Sequence, residues 1–149
     1  MPNRDDPIQR ATAQVETAMA DASLQASVQS FFDPQTATVS HIAYDPATRE
    51  AAIIDPVRNY DPSSGRTGYY SADQIIEFIT SNNLKVKWLL ETHAHADHVS
   101  AAPYLKERLD GILAIGDNII AVQKTFGDLF NAGPDFHRDG TDFDRLLAD

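Results

Sequence analysis

The feature that most constrains this chain is a compact apolar run, Val86 to Leu90, that leads directly into Glu91-Thr92-His93-Ala94-His95-Ala96-Asp97-His98. Such a run belongs to a strand buried inside a sheet, and a sheet of that kind needs layers over its faces. Three of the chain's five histidines, with one aspartate among them, then fall between positions 93 and 98. In an extended segment His93, His95 and Asp97 alternate onto one side, and a loop can fold His98 back to join them. Imidazole and carboxylate are ligands that suit zinc, iron or manganese. A surface loop that merely happens to be histidine-rich is the weaker account, because α/β sheets place their sites at the carboxyl ends of strands.

Composition narrows the chemistry. The 149 residues are one domain's worth of chain and contain no cysteine, which excludes disulfides, thiolate metal sites and a catalytic thiol. Any metal is therefore held through nitrogen and oxygen. Twelve Lys and Arg against 22 Asp and Glu give a net charge of −10, so nucleic acid and anionic membrane are not expected partners. No apolar run approaches the ~20 residues of a membrane span. The opening Met1-Pro2-Asn3-Arg4-Asp5-Asp6 leads into no secretory core, so a cytoplasmic location is the expectation.

Periodicity supplies the elements. Residues 1–25 read as a leader or a weakly amphipathic N-terminal helix, with Ile8, Ala11, Val15 and Met19 at near-helical spacing. Val28–Phe32, Thr36–Tyr44 and Glu50–Ile54 read as strands, the last two joined by the turn Asp45-Pro46-Ala47-Thr48. A polar loop runs through Asp61 to Gly68; its Gly65-Arg66-Thr67-Gly68 lacks the ending of a phosphate loop. A capping pair, Ser71 and Gln74, opens a helix that stops at Asn82-Asn83. Ser100 caps a second helix, Ala101–Leu109, and Asp117 a third that runs through Phe130. Ile112–Ile115 is a strand between them. Phe126 and Phe130, four apart, read as core, Tyr69-Tyr70 as packing against the following helix, and Lys85 and Lys87 as solvent-facing. The resulting order β-β-β-α-β-α-β-α is an α/β fold.

The segment Thr92-His93-Ala94-His95-Ala96-Asp97-His98 resembles the T-H-x-H-x-D-H signature of the metallo-β-lactamase superfamily. Ala52-Ile53-Ile54-Asp55-Pro56-Val57 resembles the strand ending in aspartate that precedes it in that fold. Within the superfamily, His98-Val99-Ser100-Ala101-Ala102-Pro103-Tyr104-Leu105 and Phe136-His137-Arg138-Asp139-Gly140 are most similar to persulfide dioxygenases and their glyoxalase-II-like relatives. The resemblance covers residues 26–149. It implies an αββα sandwich of two similar halves, with His93, His95, Asp97 and His98 as the metal-site residues.

In the hydrolase branch, His93 and His95 would help hold one metal, and Asp97 with His98 a second. In the dioxygenase branch a single Fe(II) is used, with His93 the surest ligand. There Asp97, the candidate catalytic carboxylate, and His98 would shape the water and hydrogen-bond network. Asp55 would tie the metal loop to the sheet, the competing account being an ordinary Asp-Pro turn.

The later half of that fold supplies a further histidine, in a T-P-G-H-T segment, and a bridging aspartate, neither of which occurs before Asp149. His137 matches neither and reads as a loop residue. The chain therefore reads as the N-terminal half of the sandwich, with an apolar sheet face that includes Val86, Trp88 and Leu90. A homodimer or a complementary second half is the expected partner.

The implied reaction is iron-dependent oxidation of a glutathione-persulfide-type substrate by dioxygen, giving sulfite and free thiol. The alternatives are a zinc-dependent thioester hydrolase of the glyoxalase II type, and a non-catalytic half-domain that assembles with a partner.

Overall fold

The computed structural model describes residues 7–95 and 98–148. A helix α1 (Pro7–Ala20), none of whose residues is buried, precedes the strands β1 (Ser27–Asp33), β2 (Thr38–Tyr44) and β3 (Glu50–Ile54). These three form an antiparallel meander. β4 (Val57–Asp61) and β5 (Arg66–Gly68) make a hairpin in what reads, by sequence, as an irregular loop. Its turn is closed by Asp61, whose carboxylate accepts hydrogen bonds from Ser63 and Ser64 and is thereby held down to about 2. Short strands outside the main sheet, with polar side chains, carry too little apolar alternation to be read from sequence.

Helix α2 (Tyr70–Ser81) leads into β6 (Lys85–Leu90), β7 (Val99–Ser100), helix α3 (Ala102–Leu109), β8 (Ile112–Gly116), helix α4 (Ile119–Leu129) and β9 (Arg145–Leu147). The main sheet has the order β1-β2-β3-β6-β8-β9, parallel from β3 onward, and a smaller one has the order β5-β4-β7. The expected α/β class is what folds, with β9, like β4, β5 and β7, a strand that sequence periodicity did not reveal. Three residues ending in Leu146-Leu147 are too short a run to carry a period.

The core lies between the sheet and helices α2 and α3, where Ile42, Ile53, Ile75, Leu89 and Leu105 are fully buried. α2 ends as expected at Asn82-Asn83. Asn83 takes a left-handed φ of 51°, and the amides of Asn83 and Leu84 return to the carbonyls of Thr80 and Ile79. Its start differs from the expected serine cap. Ser71 lies inside the first turn, and its amide is capped from outside by the Asn59 side chain of β4 at 2.8 Å. The Ser71 hydroxyl instead joins Asn59 and the buried Asp33 in a polar network that fastens β1 to α2. Tyr69 stacks on Tyr104 of α3, with ring centroids 3.8 Å apart.

Two expectations about faces change. The pairing of β3 with β6 shifts register, Ala51 facing Val86 and Ala52 facing Trp88, which leaves Lys87 as an extra residue. That irregularity puts Val86 in the buried cluster with Leu89, whereas Trp88 and Leu90 are half-buried and lie outside it. On α4, Phe126 and Phe130 stack on each other but are 45% and 69% exposed. The inward side is a second stripe of the same spacing, Ile119, Gln123 and Gly127. Gly127 is small enough for the Arg138 guanidinium to cross it, since a Cβ there would stand 2.3 Å from Nε.

The parallel register of β3 and β6 sets Ile54 beside Leu90, so Asp55 and Glu91–Thr92 emerge side by side at the sheet's carboxyl edge. The Asp55 amide donates to the Leu90 carbonyl, and its backbone turns away at a left-handed φ of 49°. Its carboxylate accepts from the Thr92 amide at 2.8 Å and from the Thr92 hydroxyl at 2.6 Å. Burial raises the Asp55 carboxyl, but those bonds and the adjacent His95 outweigh it and hold the group below the usual carboxylate range.

Two stability predictions follow from this packing. Ile53→Ala should cost about 2–5 kcal/mol in denaturant unfolding, as for other buried large-to-small changes. Phe130→Ser, at the exposed C-cap of α4, should change stability by less than about 0.5 kcal/mol. A third concerns pH. A carboxylate with a lowered folded pKa contributes stability that is fully present above about pH 4 and lost as pH falls through the folded value. Asp55→Asn should therefore lower stability at neutral pH by about 2 kcal/mol. It should also show a smaller further loss on acidification than the unsubstituted chain, read by denaturant unfolding at both pH values.

Candidate metal centre

The site is built at the ends of adjacent parallel strands. Asp55 follows β3, and Glu91, Thr92, His93 and His95 follow β6, where the Glu91 amide is fixed to the Ala114 carbonyl of β8. The chain then returns through β7, which pairs with β4 and brings Ser100 opposite Val57. A further backbone bond, from the Ala101 amide to the Pro56 carbonyl at 2.7 Å, anchors the start of α3. Ser100 is not itself the cap residue, Ala101 is, yet the Ser100 hydroxyl still accepts the Ala102 amide at 2.9 Å.

Three expected histidines come together. The rings of His93 and His95 are 4.3 Å apart and those of His95 and His98 4.1 Å apart, centroid to centroid. Asp97, the fourth expected residue and the candidate catalytic carboxylate, lies outside the described residues. Asp55, His93 and His95 offer ligand atoms within 4.8 Å of one another. This set of imidazole and carboxylate donors, with no sulfur, fits zinc or iron.

Hydrogen bonding decides which atoms are free to bind. The Thr92 hydroxyl has one proton, given to the Asp55 carboxylate, so at 2.8 Å it accepts from Nδ1–H of His93 and leaves Nε2 open. His95 Nε2 lies 3.0 Å from Asp55 Oδ1 and 2.9 Å from Glu91 Oε2. The ionised Asp55 only accepts, so the His95 proton is on Nε2 and Nδ1 is open among the described residues. Asp55 Oδ1 already accepts both the Thr92 amide and His95. Its remaining free lone pair is on Oδ2, which favours a bracing role over a ligand role.

Glu91 is the residue of this cluster to which the sequence motif gives no role. It is 7% exposed, accepts a hydrogen bond from the Ser100 hydroxyl, and faces His95 on its other oxygen. Burial raises its carboxyl above the usual range against the pull of those two partners. The signal available in sequence was a carboxylate at the first position after a buried strand. His137 stands apart, as expected of a loop residue; its side chain is 55% exposed and its Nδ1 lies 2.8 Å from Asp142.

A cavity of about 470 Å³ opens beside the histidines. Leu113, Ile115, Ile119, Phe136 and Phe143 make its walls largely apolar, and among the described residues no lysine or arginine lines it. Among the described residues, no helix is long and apolar enough to cross a membrane.

Comparison with known proteins agrees with this architecture. The chain is 55% identical over 123 residues to "Probable metallo-hydrolase BURPS1710b_2304" of Burkholderia pseudomallei, covering 83% of this chain and 42% of that protein. It is 41% identical to "Glyoxylase B2" of Dictyostelium discoideum, covering 84% and 43%. To the mouse "Persulfide dioxygenase ETHE1, mitochondrial" it is 26% identical, covering 64% and 34%. The chain thus spans less than half the length of each of these relatives. Residues 46–148 match the family described as the metallo-beta-lactamase superfamily, and the chain, a partial form of that fold, belongs to it.

Proposed function

We propose that this chain carries the metal-binding half of a persulfide dioxygenase. The observation that carries this reading is the cluster at the end of β6, where His93 and His95 present one open ring nitrogen each beside a largely apolar cavity. The persulfide-dioxygenase likeness of residues 98–105 and 136–140 supports the substrate class. In this reading His93 and His95 are ligands, Asp97 and His98 complete the metal surroundings, and Asp55 braces the loop. Bound iron supplies one-electron chemistry toward dioxygen, whereas bound zinc would supply Lewis acidity.

The overall reaction balances as one persulfide, one dioxygen and one water giving one thiol, one sulfite and two protons. The sulfur–sulfur bond breaks and the terminal sulfur is oxidised by the dioxygen. The chain's own residues serve this by positioning. Thr92 holds the His93 ring, while Asp55 and Glu91 hold the His95 ring. The walls formed by Ile119, Phe136 and Phe143 lower the exposure of the sulfur end of the substrate to water.

A second reading, metal-dependent thioester hydrolysis, is favoured by the names of two relatives more similar than the mouse protein, a metallo-hydrolase and a glyoxylase. Dioxygen separates the two. The iron-loaded protein should consume about one dioxygen per glutathione persulfide with sulfite formed in step, and His93→Ala should abolish both. Thioester cleavage without dioxygen uptake would replace the dioxygenase reading with the hydrolase one.

A further inference from the structure

We propose that Glu91 is a positioning residue of the metal centre, holding the Nε2–H edge of His95 and coupling it through Ser100 to the start of α3. This rests on the metal-binding reading of the cluster and not on the choice of substrate. Asp55 alone would leave the His95 ring pinned from one side. Glu91 supplies the second acceptor, 2.9 Å from the same nitrogen, on a carboxylate that solvent barely reaches. Two acceptors on one ring nitrogen fix both the tautomer and the plane of the imidazole.

The other oxygen of Glu91 is equally committed. It accepts the Ser100 hydroxyl, which itself accepts the Ala102 amide at the first turn of α3. The carboxylate therefore joins three segments: the end of β6, the histidine loop, and the strand-to-helix junction through which the chain returns. A carboxylate is the group this position calls for, because it offers acceptors to two donors on opposite sides. An amide has one accepting oxygen and would turn an N–H toward either His95 or Ser100. Alanine would leave the Nε2–H of His95 with Asp55 alone and the Ser100 hydroxyl without its acceptor.

The proposal has two readouts that a purely structural role would not move. In the metal-free chain, the Nε2–H proton of His95 should give a slowly exchanging downfield NMR signal, assigned by its absence in His95→Ala. Glu91→Ala should broaden or remove it, and Glu91→Gln should shift it. In zinc titrations against a competing chelator, Glu91→Ala should weaken binding by roughly 10–100-fold, the usual cost of losing such a partner. Glu91→Gln should fall between Ala and the unsubstituted chain. Circular dichroism on each variant establishes that folded protein is being compared.

An unchanged His95 signal in Glu91→Ala would overturn the proposal. So would zinc affinity within about twofold of the unsubstituted chain in folded Glu91→Ala. An unsubstituted chain that binds neither zinc nor iron would instead overturn the metal reading, and the metal-free signal would still decide whether Glu91 holds His95.

Discussion

The structure depends on one constraint, the side-by-side exit of two parallel strands. Because Ile54 of β3 pairs with Leu90 of β6, the next residues of each strand meet at the same edge of the sheet. The Asp55 carboxylate then grips Thr92 by both amide and hydroxyl. An ionised group accepting two such bonds is stronger than a neutral pair and tolerates the left-handed backbone at Asp55. That grip, with the Glu91 amide held by Ala114, aims the start of the histidine loop.

From there the polarity of the cluster propagates outward by proton counting. Thr92 spends its proton on Asp55 and so must accept from His93, while Asp55 in turn must accept from His95. The two imidazoles consequently turn different nitrogens toward the open side. Glu91 extends the same logic to Ser100 and the α3 junction. The network is nearly closed on its protein side, which is why its outward-facing nitrogens are the ones left for a metal.

The sequence was legible wherever one period or one motif acted alone. The run Val86–Leu90, the Asn82-Asn83 stop and the histidine cluster each carried a single strong signal. It was less legible where two signals competed or where none was local. Lys87 breaks the alternation of β6, so Val86 parts company with Trp88 and Leu90. α4 carries two stripes of i, i+4 spacing, and the packed one is Ile119, Gln123 and Gly127, not the phenylalanines. The second of those choices depends on where Arg138 crosses the helix, a contact made by a residue well downstream. The Asn59 cap on α2 is likewise a bond between residues 12 apart in sequence, invisible to any rule about neighbours.

Glu91 belongs to the same class of hidden residue, since its meaning arises only when β7 returns Ser100 to its side. The signature around it names the candidate ligands; the geometry names the group behind them. A carboxylate buried without a lysine or arginine partner is costly, and burial accordingly raises its pKa. An apolar residue at this place would supply neither of the two acceptor oxygens that His95 and Ser100 use. In this fold those oxygens reach the His95 imidazole and, through Ser100, the start of α3. The cost of burying the charge is therefore set against the orientation of the site, not against the stability of the sheet.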